Sequence, residues 1–130
     1  MLEKEFRKKI IAAANHSGIY AVPIESAVSN GFPDIVLSNH VTILVECKVV
    51  ATRAGSKLFG SIFEKTQLAF YKNWWKTQSD NIWCAVYFKK EKQIGLLQLN
   101  PGYFKFKIKD VMFHITDKMV SAINWLRSLT

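Results

Sequence analysis

Three charged residues stand inside the apolar stretch from Asn30 to Val50, "NGFPDIVLSNHVTILVECKVV": Asp34, Glu46 and Lys48. A carboxylate or ammonium in such surroundings costs several kcal/mol unless it is paired or ligates a metal. In an extended strand Glu46 and Lys48 project to one side and Cys47 to the other. A two-residue loop at Asn39-His40 would send Asp34 and Glu46 to opposite faces. A three-residue loop, Asn39-His40-Val41, sets Asp34 directly across from Glu46, at roughly 4.5–5.5 Å between Cα atoms. We therefore expect an odd-length turn, or a bulge with the same effect. Facing carboxylates raise each other's pKa unless a cation lies between them. A hard divalent ion, Mg²⁺ or Mn²⁺, suits such oxygen donors, and the main-chain carbonyl of Cys47 is close enough to add another. Lys48 would orient an attacking water, assist its deprotonation or stabilise charge growing on a phosphate. These are the parts needed to hydrolyse a phosphodiester. The competing reading makes Asp34 a turn cap and leaves Glu46 and Lys48 as rim charges on an edge strand.

The elements that must position these residues are readable by pattern. Leu2, Phe6, Ile10 and Ala13 recur at helical spacing until Asn15-His16-Ser17-Gly18 stops them. "IYAVPIE" is an edge strand, because Pro23 lacks a donor. "DIVLS" and "VTILVECKVV" form the hairpin, and "ATRAGSKLFGS" is a loop of small and basic residues. "IFEKTQLAFYKNWWKTQ" is an amphipathic helix with Phe63, Gln67, Phe70, Tyr71 and Trp74 on one side. "NIWCAVYFKK" and "IGLLQL" are β-runs, and "YFKFKIK" alternates apolar and basic residues with the period of a strand. A last helix, "DKMVSAINWLRSL", is expected to be capped by Thr116 or Asp117. Its Val120, Ile123 and Leu126 stripe suits either the core or a dimer face. The order α-β-β-β-α-β-β-(β)-α implies a central mixed sheet with helices packed on it.

Composition narrows the partner. The 130 residues have the length of one domain, 1–130, without repeats or a linker. Eighteen Lys and Arg oppose ten Asp and Glu, a formal charge of +8 spread along the whole chain. A folded basic surface favours a polyanion, and nucleic acid leads in the absence of a long basic amphipathic helix. No apolar run is long enough to span a membrane. The first ten residues lack the apolar region of a signal peptide, so a cytoplasmic location is expected. Cys47 and Cys84 sit in apolar runs without zinc-site spacing, which suits buried reduced thiols.

"FPDIVLSNHVTILVECK" resembles the core motif of the PD-(D/E)xK nuclease superfamily, in which Pro-Asp opens one strand and Glu-x-Lys lies in the next. "LEKEFRKKI" is similar to the first helix of archaeal-type Holliday junction resolvases, which supplies a glutamate to the metal site. Gln67 and Tyr71 resemble the Gln-x-x-x-Tyr helix motif that borders the active site in several branches. Gly31-Phe32-Pro33-Asp34 matches the Gly-x-Pro-Asp start of phage-type VRR-NUC nucleases. The likeness runs over about residues 2–100. It implies an α/β fold with a restriction-endonuclease-like core, a central mixed β-sheet flanked by helices.

It also implies a Mg²⁺- or Mn²⁺-dependent deoxyribonuclease, with Glu3, Asp34, Glu46, Lys48 and Gln67 as catalytic residues. Asp34, Glu46 and the Cys47 carbonyl would hold the metal. Glu3 is preferred to Glu5, because Phe6 and Ile10 at i+3 and i+7 place it beside the apolar face. Arg53 and Lys57, in the loop 51–61, are expected to grip a phosphate backbone, with Lys65 and Tyr71 as further nucleic-acid contacts. Tyr71 otherwise packs, with its hydroxyl reaching a partner. No motif reads base edges, so branched DNA cut by a homodimer in a structure-selective way is the expectation. An exonuclease, a flap- or single-strand-directed nuclease of the same fold, and a noncatalytic nucleic-acid-binding domain are the alternatives.

Overall fold

The computed structural model describes residues 1–24 and 31–130. Helix α1 spans Glu3–His16 because Phe6, Ile10 and Ala14 form one buried stripe. It stops where Gly18 takes φ +84°, a left-handed conformation that favours glycine. The Asn15 side chain then accepts from the N–H of Ala21 and donates to its carbonyl, fastening the next strand to the helix end.

The strands are β1 (Tyr20–Pro23), β2 (Ile35–Ser38), β3 (Thr42–Val50), β4 (Ile82–Phe88), β5 (Gln93–Gln98) and β6 (His114–Thr116). They form one six-stranded sheet in chain order. β3 and β4 pair in parallel and the remaining neighbours are antiparallel. The parallel pair requires a crossover, supplied by the loop after β3 and helix α2 (Lys65–Lys76). β1 is an edge strand, as Pro23 demands; Glu25, the last residue expected in it, lies outside the described residues. This is an α/β fold, a mixed sheet flanked by three helices.

The sheet divides two cores. On one face Ile35, Leu37, Val45, Cys47 and Ala85 pack with Phe6 and Ile10 of α1 and with Ile123 and Leu126 of α3 (Met119–Leu129). On the other, Leu44, Cys84, Val86 and Phe88 pack with Phe59, Phe63, Tyr71 and Phe104. Cys47 and Cys84 are buried on opposite faces, so the sheet itself keeps both thiols free. Among the described residues no helix is long and apolar enough to cross a membrane.

Two expectations are corrected. The run "YFKFKIK" forms no strand: Pro101–Lys105 and Ile108–Asp110 are short 3-10 turns. Its buried residues Phe104 and Ile108, with Val111 just beyond it, recur at intervals of four and three, and Pro101 opens the first turn while the Asn100 side chain accepts the Gly102 N–H at 2.9 Å. Neither Thr116 nor Asp117 caps α3; Lys118 holds that position, and Thr116 Oγ1 accepts its N–H at 3.3 Å just before the helix. Ile123 and Leu126 are core, while Val120 is 61% exposed.

Candidate active site

The β2–β3 register runs from Ser38 opposite Thr42 to Ile35 opposite Val45, which closes the three-residue loop Asn39–Val41. Asp34 comes one residue before β2, and the register extended by one step would set it across from Glu46, next to Cys47. Leu44 donates its N–H to Asn81 on the β4 side, so the odd-numbered residues of β3 turn their main-chain groups toward β2. The Cys47 N–H and carbonyl therefore both face the Pro33–Asp34 step. Asp34 Oδ2 takes the N–H at 2.9 Å. Proline has no N–H, so β2 offers the Cys47 carbonyl no donor. Pro-Asp thus fills the Cys47 N–H from a side chain and brings no proline N–H to the carbonyl beside it.

Glu46 and Lys48 lie on the α2 face of the sheet, with only 1% and 7% of their surface exposed. Burial, and then the Asp34 carboxylate beside it, push the Glu46 carboxyl from the usual 4.5 up to about 9, although Lys48 pulls it down. Lys48 Nζ lies 3.8 Å from Glu46 Oε2 and 4.0 Å from Glu3 Oε1. It also donates to Gln67 Oε1 at 3.2 Å and sits 5.5 Å over the centre of the Phe63 ring. Gln67 Nε2 donates to Glu46 Oε2 at 2.9 Å.

Helix geometry fixes Gln67. It is the third residue of α2, and its Oε1 accepts the Glu64 N–H at 3.0 Å while the Glu64 side chain accepts from the Gln67 main chain, a capping box. Gly31 lets the chain that leads to Asp34 pass directly against this turn. Its φ is +86°, and a Cβ there would lie 2.5 Å from the Thr66 carbonyl oxygen and 3.1 Å from Gln67 Cα.

One turn beyond Gln67, Tyr71 is buried, 2% exposed, among Phe63, Phe70 and Phe104. It offers almost no surface to a ligand here and packs as the alternative reading has it, though its hydroxyl makes no close hydrogen bond. Burial, and then the charge on Glu46, hold its hydroxyl well above the usual range, so it stays a neutral donor. The Tyr71 hydroxyl and Glu46 Oε1 are both buried without a hydrogen-bond partner.

The other predicted residues distribute unevenly. Glu3 borders the site, whereas Glu5 is exposed and makes no ion pair among the described residues. Glu3, Lys48, Lys57, Leu58, Ser61 and Ile108 line a cleft of about 880 Å³. Arg53 lies away from it, in a separate hollow with Glu91, whose carboxylate accepts the Arg53 N–H at 3.0 Å. Lys65 is exposed in the first turn of α2. A residue not singled out from the sequence, Arg7, reaches to 3.5 Å from Asp34 Oδ1. Its position one turn after Glu3 and next to the buried Phe6 was the available signal.

The donors available to a metal are the Asp34 and Glu46 carboxylates and the Cys47 carbonyl, all oxygen. Among the described residues no three His, Cys, Asp or Glu side chains converge into a cluster able to hold an ion. Mg²⁺ binds through one or two carboxylates and keeps several waters, so this small set fits it, and Glu46 Oε1, beside the Tyr71 hydroxyl, makes no close hydrogen bond that a cation would have to break.

No family model matches the chain, and no curated protein matches it. Among solved structures the chain is similar to Hjc, a Holliday junction resolvase from the archaeal hyperthermophile Archaeoglobus fulgidus. The TM-score is 0.51 at 12% identity, over 74% of this chain and 71% of that one. The likeness is one of fold.

Proposed function

We propose that this chain is a Mg²⁺- or Mn²⁺-dependent deoxyribonuclease with a structure-selective, resolvase-like preference for branched DNA. One observation carries the reading: the buried Glu46 carboxyl lies beside Asp34, the residue just before the neighbouring strand, with Lys48 on its own face. A carboxyl group in that position costs stability unless a proton or a cation compensates it. The fold shared with a resolvase and the basic surface support the same conclusion.

A bound divalent ion would lower the pKa of its water and polarise the phosphorus–oxygen bond. The residues of the chain do the rest. Asp34 and Glu46 supply the anionic oxygens, and the Cys47 carbonyl adds a neutral one. Arg7 orients Asp34, and Gln67 fixes Glu46 while accepting from Lys48. Lys48 Nζ, facing the cleft, orients the attacking water and stabilises charge on the phosphate. Glu3 steadies Lys48 from the cleft rim. Lys57 is placed to hold the backbone near the site, and Lys65 and Arg53 serve as more distant contacts.

The test is cleavage of labelled four-way junction, flap, single strand and linear duplex in Mg²⁺, Mn²⁺ or EDTA. Metal-dependent cutting of branched DNA, lost in Asp34→Ala and Glu46→Ala with binding retained, is the expected result. Cutting that survives both substitutions refutes the mechanism. A homodimer, which would present two sites for paired cuts, is checked by the mass in solution.

A further inference from the structure

The segment that follows β5 carries an aromatic side chain for which the fold has no internal use. Phe104, Ile108 and Val111 turn into the core, but Phe106 is 47% exposed. Its ring pairs with Tyr103, with centroids 5.9 Å apart. Lys105 and Lys107 flank it, Lys109 follows, and all three are exposed. Among the described residues none of these lysines, nor Lys57, takes part in an ion pair. Asp110 is the one acidic residue of the segment.

The segment is held firmly against the cleft wall. Phe59 donates its N–H to Phe106 at 2.7 Å, Ile108 to Lys57 at 2.9 Å and Lys109 to Gly55 at 3.1 Å. Leu58 and Lys107 form a β-bridge. Lys57, Leu58 and Ile108 line the same cleft as Glu3 and Lys48. Phe104 packs so closely on Gly60 that a Cβ there would come within 2.9 Å of it. Phe106 is therefore presented on a fixed backbone at the margin of the candidate site.

An exposed ring among unpaired ammonium groups is a poor seat for an apolar protein surface, which would have to bury those charges. It suits a ligand that offers a flat apolar face and a negative backbone together. We propose that Phe106 is a stacking platform for an unpaired nucleotide, with Lys57, Lys105 and Lys107 gripping the adjoining phosphates. DNA carrying an unstacked base beside the cutting position, as at a branch or a flap, would then be preferred to closed duplex. This names the substrate class of the nuclease reading and rests on that reading for the cutting step alone.

Equilibrium binding in EDTA tests the platform without cleavage. The full chain is titrated into labelled dT oligonucleotide, the same strand with abasic sites, a flapped duplex and a closed duplex. Removing one base–aromatic stack is worth roughly 5- to 150-fold in affinity. Phe106→Ala is expected to weaken dT and flap binding about tenfold, leave closed duplex within about twofold, and abolish the preference for dT over the abasic strand. Phe106→Trp is expected to restore that preference. Lys105→Gln with Lys107→Gln is expected to weaken every nucleic acid alike and flatten the salt dependence.

Equal affinity of the unaltered chain for dT and abasic strands overturns the platform. So does a Phe106→Ala loss shared by closed duplex, or no binding at all. Cutting in Mg²⁺, assayed separately with Glu46→Gln as the inactive control, reads the nuclease proposal. A chain that stacks bases but never cuts keeps the platform and loses the enzyme.

Discussion

Asp34 and Cys47 are joined across the open end of the β2–β3 hairpin, just before β2 begins at Ile35, and Pro33 beside them brings no N–H donor. The Asp34 carboxylate accepts the Cys47 N–H at 2.9 Å. Asp34→Ala would strand that amide and is expected to cost about 1–3 kcal/mol. Asp34→Asn keeps an acceptor oxygen and is expected to recover most of that loss. Both variants lose metal-dependent cutting. Urea melts beside cleavage assays check the split, and an Asn variant that cuts normally would exclude the charge of Asp34 from the mechanism.

Glu46 gives a pH dependence of definite sign. Its carboxyl is held up at about 9 by burial first and Asp34 second, against 4.5 when exposed. The folded, metal-free chain thus binds a proton that the unfolded chain releases. Stability from this group is complete below pH 4.5, declines as pH rises and is gone once pH passes about 9. Thermal melts in EDTA should show Tm falling toward alkaline pH, and Glu46→Gln should blunt that fall. Added Mg²⁺ replaces the proton, so it should raise Tm more at pH 8 than at pH 6. An equal or reversed Mg²⁺ effect counts against a cation at Glu46.

Two glycines separate backbone strain from crowding. Gly18 and Gly31 have φ of +84° and +86°, but a Cβ on Gly18 meets open space while one on Gly31 meets the Thr66 carbonyl at 2.5 Å. Gly18→Ala should cost about 1 kcal/mol. Gly31→Ala should cost about 1–3 kcal/mol more, as the start of α2 is forced away. It should also slow cutting, because Gln67 moves with that turn. Chemical denaturation of the pair is the measurement, and equal costs would remove the crowding argument.

Arg7 tests orientation. Its pair with Asp34 is partly exposed, so Arg7→Ala should change stability by no more than about 1 kcal/mol. The rate of cutting should fall about 10- to 100-fold, as for loss of a group that orients a metal ligand, and Arg7→Lys should restore part of it. Unaltered rates in Arg7→Ala would leave the ion pair a surface contact only.

Much of this site was legible because strands and turns translate simply into geometry. An odd loop between "DIVLS" and "VTILVECKVV" sets Asp34 opposite Glu46, and alternation puts Glu46 and Lys48 on one face. Gln67 was legible as part of a helix motif, though its capping bond to Glu64 was not drawn from the spacing. Arg7 is marked in the sequence only by its place one turn after Glu3, and its pair with Asp34 depends on how α1 docks against the sheet. The Tyr103–Lys109 run misled because its lysines interrupt the apolar residues at every second position. The spacing of the residues that are buried, Phe104, Ile108 and Val111, was that of a turn.

The side chain of Gln67 completes the N-terminal cap of α2 and holds the buried carboxyl in the same pair of bonds. Fraying of that first turn would therefore release the Glu46 carboxyl as well, and on the nuclease reading an ion held there would steady the start of the helix. Slower deuterium uptake at the leading amides of α2 on adding Mg²⁺ is the expected sign of that link, and unchanged uptake would remove it.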